Sequence, residues 1–150
     1  MTLLMLLRSS PLILALSLIT GALLVTAAYL TAKQRFTRRD HAIIATAAFT
    51  ATAHLIIGLT YSGELLLFLD GLGFFALLAL LYLPLTAADP FRPALRWLLL
   101  AYTLFGFVAY FVIHLLGGHG FGELALLVKA AELLLIALLS SPLWQGGRSP

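Results

Sequence analysis

Five apolar stretches of about twenty residues each, separated by short links, take up nearly the whole of this chain. They run over residues 10–32, 41–62, 64–85, 95–116 and 121–140. A helix that crosses the hydrocarbon core of a bilayer needs about 20 mostly apolar residues, and only helices and closed barrels can satisfy their own backbone polar groups there. The pattern predicts an all-α fold, a polytopic transmembrane bundle of five helices forming one domain over residues 1–150. Hydrophobic residues make up 62% of the chain and charged residues 10%, with a mean hydropathy of +1.07. Ordinary soluble domains are about 45–50% apolar, so almost nothing is left over for one here. The first stretch is longer than the apolar core of a signal peptide, about 7–15 residues, and is expected to remain as a span.

The charges between the stretches set the orientation. Lys33, Arg35, Arg38 and Arg39 fall in the first link, Arg92 and Arg96 in the third, and Arg148 after the last stretch. Alternating spans collect all of these on one side and leave Arg8, Glu64, His119 and Glu123 near the other. Because basic residues accumulate in cytoplasmic loops, the N-terminus is expected outside and the C-terminus in the cytoplasm. Short links, such as Tyr61-Ser62-Gly63 and Gly117-Gly118-His119-Gly120, favour antiparallel neighbours and an up-down arrangement. Asp89 before Pro90 suggests a helix N-cap with proline at the first helical position. No internal repeat is visible, and an odd number of spans does not divide into two equal inverted halves.

Small residues mark where helices can approach. In the second stretch Ala47, Thr50, Ala51, His54, Gly58 and Tyr61 recur at helical spacing, and Ser17 and Gly21 form a small-xxx-small pair in the first. Such residues let backbones come close. The leucine-dense third and fifth stretches are expected to form the lipid-facing wall. Trp97, Trp144 and Tyr82 fit an interfacial aromatic belt.

The costly residues are the ionisable ones inside the stretches. Lys129 and Glu132 interrupt the fifth, Asp70 the third and His54 the second. A central charge costs roughly 2.5–3.5 kcal/mol on insertion scales, so a compensating partner is required. At 1.5 Å per residue, His54 lies about 12 Å below the outer end of its stretch, Asp70 about 9 Å and Lys129 about 9–12 Å. Three groups from three helices therefore share one level in the outer half, with Glu132 one turn deeper on the Lys129 face. An Asp70–Lys129 ion pair is expected, with His54 hydrogen-bonding to either member and Glu132 neutralised by a proton. These four residues form a polar cluster that either fixes helix register or binds and relays protons or a small polar ligand.

Other chemistries find less support. The only histidines placed on separate helices that suggest haem b are His54 and His114, yet His114 lies only about 3 Å below the surface, so no cofactor is expected. A retinal Schiff base on Lys129 with Asp70 as counter-ion meets the objection that rhodopsins have seven spans. A metal held by His54, Asp70 and Glu132 would be repelled by Lys129, and no HExxH-type pair is present; no metal site is expected. Ser62 lies near the outer polar layer without a GxSxG signature, which leaves no catalytic set. The absence of cysteine excludes disulfides and thiolate chemistry. Basic residues confined to short links suit lipid headgroups rather than nucleic acid.

The segments AHLIIGL (53–59), LFLDGLGF (67–74), RWLLLAYT (96–103) and LVKAAELLLIALL (127–139) resemble those of small bacterial integral membrane proteins that have no assigned function. The resemblance covers roughly residues 45–140. It implies no activity, only that His54, Asp70, Lys129 and Glu132 belong to one unit. The sequence thus points first to a multi-pass protein of the cell (inner) membrane, an accessory subunit or homo-oligomer, with the bilayer, a membrane-protein partner or a second copy as its contacts. The rival reading is a small transporter or channel that uses the polar cluster as a relay, and a haem b electron-transfer subunit comes third.

Overall fold

The computed structural model describes residues 10–32, 36–60, 65–83, 86–117 and 122–141. Five α-helices lie within them: α1 (Ser10–Ala32), α2 (Arg38–Thr60), α3 (Leu65–Tyr82), α4 (Arg92–Gly117) and α5 (Glu123–Ser140). A 3-10 helix, Thr86–Phe91, joins α3 to α4, and the described residues contain no strand. Arg8, Lys33, Arg35, Tyr61, Ser62, Glu64, His119, Trp144 and Arg148, used above to place turns, belts and sides, lie outside the described residues. Four helical segments are long and apolar enough to cross a membrane: Pro11–Leu30, Arg38–Thr60, Leu65–Tyr82 and Ala88–Gly117. The fifth helix stands apart because its 18 residues carry Glu123, Lys129 and Glu132.

α2 starts on a reciprocal cap. The Thr37 amide and hydroxyl donate to Asp40 Oδ2 at 2.9 and 2.7 Å, and the Asp40 amide donates to Thr37 Oγ1 at 3.2 Å. This is the capping-box arrangement, in which two otherwise unpaired first-turn donors are satisfied together. Arginines do the matching work at helix ends, where carbonyls lack partners. Arg39 Nη2 donates to the carbonyls of Leu138 and Ser141 at the end of α5. Arg92 donates to the carbonyls of Leu81 and Leu83 at the end of α3. The starts of α2 and α4 therefore lie beside the ends of α5 and α3. The expected Asp89–Pro90 helix start is corrected: both residues sit inside the 3-10 helix, and α4 begins at Arg92, whose Nε donates to Asp89 Oδ1 at 2.7 Å. Two prolines, at 90 and 93, explain the short tight turn, since each removes a backbone donor.

α2 is the hub. It packs against α1, α3 and α5, while α4 closes the circuit by packing against α3 and α5. The result is a ring of α2, α3, α4 and α5, with α1 laid on the outer side of α2. Small residues make the approach possible, as the sequence suggested. Ala47, Thr50 and Ala51 have no exposed surface. A Cβ on Gly71 would lie 2.7 Å from the Ala51 carbonyl oxygen, and one on Gly21 would lie 3.0 Å from that of Ala45. Between the helices Phe74, Leu78, Leu99 and Leu135 complete an apolar core with Ile43 and Ala47.

The leucine-dense helices have two sides: α3 exposes Leu65, Leu66 and Leu69 and α5 exposes Leu126, Leu127, Leu133 and Leu134, while their other faces turn inward. α3 buries Gly71, Phe74, Leu77, Leu78 and Leu81, and α5 buries Val128, Lys129, Glu132 and Leu135. α1 and α4 are still more exposed, with 17% and 11% of their apolar segments buried against 28% for α3 and 56% for α2. Leucine suits both a core and a lipid surface, so leucine density alone does not separate them.

Candidate functional site

His54 reaches the inside of the ring because α2 packs against α3 and α5 on either side. It sits 14 residues beyond Asp40, about 21 Å along the helix axis, and is 3% exposed. Its two ring nitrogens face two carboxylates on two different helices. Nδ1 lies 2.5 Å from Asp70 Oδ2 on α3, and Nε2 lies 3.4 Å from Glu132 Oε1 on α5. Glu132 in turn receives Lys129 Nζ at 2.8 and 2.7 Å, one contact to each carboxylate oxygen. Asp70, His54, Glu132 and Lys129 therefore form one continuous chain of ionisable groups.

The four residues singled out from the sequence do come together, but not as expected. Lys129 pairs with Glu132 on its own helix rather than with Asp70 across the ring. The reason is reach: at a spacing of three residues the two side chains share a helix face, and a bidentate contact on the same helix needs no help from tertiary packing. Asp70 is left to His54. Depth along the axis placed the groups at one level, whereas their pairing depends on helix rotation.

α4 supplies three groups that the sequence reading did not single out. Tyr102 Oη donates to the Asp70 carbonyl oxygen at 3.1 Å, the Gly106 carbonyl lies 3.5 Å from Lys129 Nζ, and the Tyr110 ring lies 4.8 Å below the ammonium. A cation over an aromatic face is attracted by the ring quadrupole. Tyr102, Gly106 and Tyr110 recur every four residues, a spacing that marks one helix face and could have revealed the side of α4 turned to the cluster. Phe74 covers the cluster from below, edge-on to both His54 and Tyr102.

Burial is graded along the chain of groups. The side chains of Glu132, His54 and Lys129 are 1%, 4% and 7% exposed, against 23% for Asp70. Asp70 is thus the member in touch with the surroundings. Toward the other end of the ring lies a second polar layer. Arg96 Nη2 donates to Asp40 Oδ1 at 2.8 Å, and the Tyr82 hydroxyl donates to the same oxygen at 3.4 Å. The Thr-x-x-Asp spacing at 37–40 was the available signal for this layer. Between the layers no charged residue occurs at positions 42–53, 71–88, 97–113 or 133–147, and that depth is filled by the apolar core together with the buried hydroxyls of Thr46 and Thr50.

The donor set also bears on haem. Both nitrogens of His54 are turned to carboxylates, so neither offers a lone pair to iron without dismantling the chain of contacts. His114 lies against Tyr110, ring centroids 3.9 Å apart, with Nδ1 at 3.0 Å from the Tyr110 carbonyl oxygen. Among the described residues no group of three or more His, Cys, Asp or Glu is disposed to hold a metal ion. No protein-family model, no curated protein and no solved structure matches this chain.

Proposed function

We propose that this protein is a five-span component of the cell (inner) membrane, N-terminus outside and C-terminus in the cytoplasm, that acts as a non-conducting accessory subunit or self-associating scaffold. The observation that carries this reading is the uncharged, largely apolar layer between the two polar ones. The outer cluster and the Asp40–Arg96–Tyr82 layer are each paired internally, and about 21 Å of helix without a charged residue separates Asp40 from His54. A path for protons or polar solutes needs polar groups or water in sequence through the bilayer. Buried polar clusters in membrane bundles also hold helices in register. Here one cluster takes a group from each helix of the ring, which suits that role.

The rival reading, a small proton or polar-solute transporter using His54, Asp70, Lys129 and Glu132, is favoured by one observation, the partial exposure of Asp70. Two measurements separate the readings. Purified protein in liposomes carrying an internal pH dye is expected to add no proton leak over protein-free vesicles under an imposed gradient. A leak that Glu132→Gln abolishes overturns the scaffold reading. Native mass spectrometry of the protein drawn gently from its own membrane is expected to show a second polypeptide or a homo-oligomer. A bare monomer counts against it.

A further inference from the structure

The geometry of His54 carries an inference that goes beyond a register-fixing role. A neutral imidazole has one N–H and one lone pair. Its nitrogens here face Asp70 Oδ2 at 2.5 Å and Glu132 Oε1 at 3.4 Å. Either neutral tautomer would aim its lone pair at a carboxylate oxygen. Only the doubly protonated ring donates in both directions.

The charge inventory calls for one further proton, and because both oxygens of Glu132 already receive Lys129, the imidazole is the group left to hold it. Asp70 and Glu132 ionised, with Lys129 protonated, leave a net charge of minus one when the ring is neutral. A net charge in an apolar interior is strongly disfavoured, and one further proton cancels it. We propose that the Asp70–His54–Glu132–Lys129 cluster is a proton-binding site that holds one exchangeable proton as the His54 imidazolium. Binding is a simple addition. A proton from water adds to the imidazole lone pair, the N–H bond is the only bond formed, and nothing is oxidised or reduced. Asp70 is the least buried of the four and the one hydrogen-bonded to the ring.

Every helix packed around His54 has been counted. α3 brings Asp70, α5 brings Lys129 and Glu132, and α4 brings the hydroxyls of Tyr102 and Tyr110. The described part of α1 contains no Asp, Glu, Lys, Arg or His. Two carboxylates face the ring and one ammonium stands behind Glu132, so the local balance favours the imidazolium. The site is proposed whether the protein works with a partner or alone. Its failure would leave the scaffold reading standing, and proton leak through liposomes would not by itself confirm it.

The test is nitrogen-15 NMR of the full chain in lipid bilayers. Ala53–His54 is the only Ala–His pair in the sequence, so carbonyl-labelled alanine with nitrogen-labelled histidine assigns His54 without substitutions. At pH 7 both ring nitrogens are expected to show the protonated signature, where a neutral ring would show a single-tautomer pattern. Glu132→Gln removes one facing charge and is expected to convert His54 to the single-tautomer pattern at pH 7. Asp70→Asn gives the same readout if the first variant does not fold. A neutral ring in the native chain at pH 7, or a doubly protonated pattern that persists in both variants, overturns the proposal.

Discussion

Lys129 donates to both carboxylate oxygens of Glu132, one turn along the same helix, and Glu132 then meets His54 on the neighbouring one. The pair therefore lies within α5 alone and needs no other helix to complete it. It lets a helix with three charges present a nearly neutral inner face to the ring. It also makes Glu132 the junction between the ion pair on α5 and the imidazole on α2.

Breaking a buried pair by removing one partner leaves an uncompensated charge and costs about 3–5 kcal/mol, whereas replacing both with apolar residues of similar size is often neutral. Lys129→Met and Glu132→Leu are each expected to lower the thermal unfolding temperature sharply. The double variant is expected to recover most of the loss. Additive losses in the double-mutant cycle would show that the two residues do not act as a pair.

The glycines predict a contrast. A Cβ on Gly71 would meet the Ala51 carbonyl oxygen at 2.7 Å and Leu55 at 2.8 Å, whereas one on Gly106 would meet nothing within 4 Å. Gly71→Ala forces α3 away from α2 and is expected to cost about 1–3 kcal/mol, as overpacking does. It also displaces Asp70 from His54, since the two positions are adjacent. Gly106→Ala is expected to be neutral or to stabilise by up to about 0.5–1 kcal/mol through helix propensity. Equal unfolding temperatures for the two variants would contradict the close α2–α3 approach.

Much of this architecture is legible in the sequence, and the parts that are not have a common cause. Counting residues along a helix axis gives depth, so His54, Asp70, Lys129 and Glu132 could be placed together before their helices were. Pairing needs rotation about the axis, which in α3 and α5 is obscured because leucine serves core and lipid alike. The small face of α2 was readable because Ala47, Thr50 and Ala51 have no competing role at a lipid surface. Tyr102 and Tyr110 were missed because tyrosines in a span look like belt residues until the opposite helix is known. The Asp40 layer is not legible because an aspartate beside a basic link needs no partner in water, and its three partners, Thr37, Tyr82 and Arg96, come together only in the fold.

Asp40 allows cap and ion pair to be separated. Asp40→Asn keeps an oxygen for the Thr37 donors but loses the charge that holds Arg96, whereas Asp40→Ala loses both. The difference between the two variants reads the cap, which is expected to contribute about 0.5–2 kcal/mol. Arg96→Met is expected to resemble Asp40→Asn. If Asp40→Asn and Asp40→Ala unfold at the same temperature, the reciprocal cap at the start of α2 contributes nothing.

Whether α5 crosses the bilayer is the point on which a five-span arrangement turns. Its 18 residues give about 27 Å of helix, just matching a hydrocarbon core of about 30 Å. Lys129 and Glu132 neutralise one another, and Glu123 stands in the first turn, where it can remain at the water interface. The chain has no cysteine, so single introduced thiols report cleanly. Arg38→Cys, Gly122→Cys and Ser141→Cys are each treated with a membrane-impermeant maleimide in intact cells and after permeabilisation. The thiol at position 122 is expected to react in intact cells, and those at 38 and 141 only after the membrane is opened. Reaction at 122 and 141 from the same side would place α5 along the surface and reduce the spans to four. Reaction at 38 in intact cells would reverse the orientation read from the basic links.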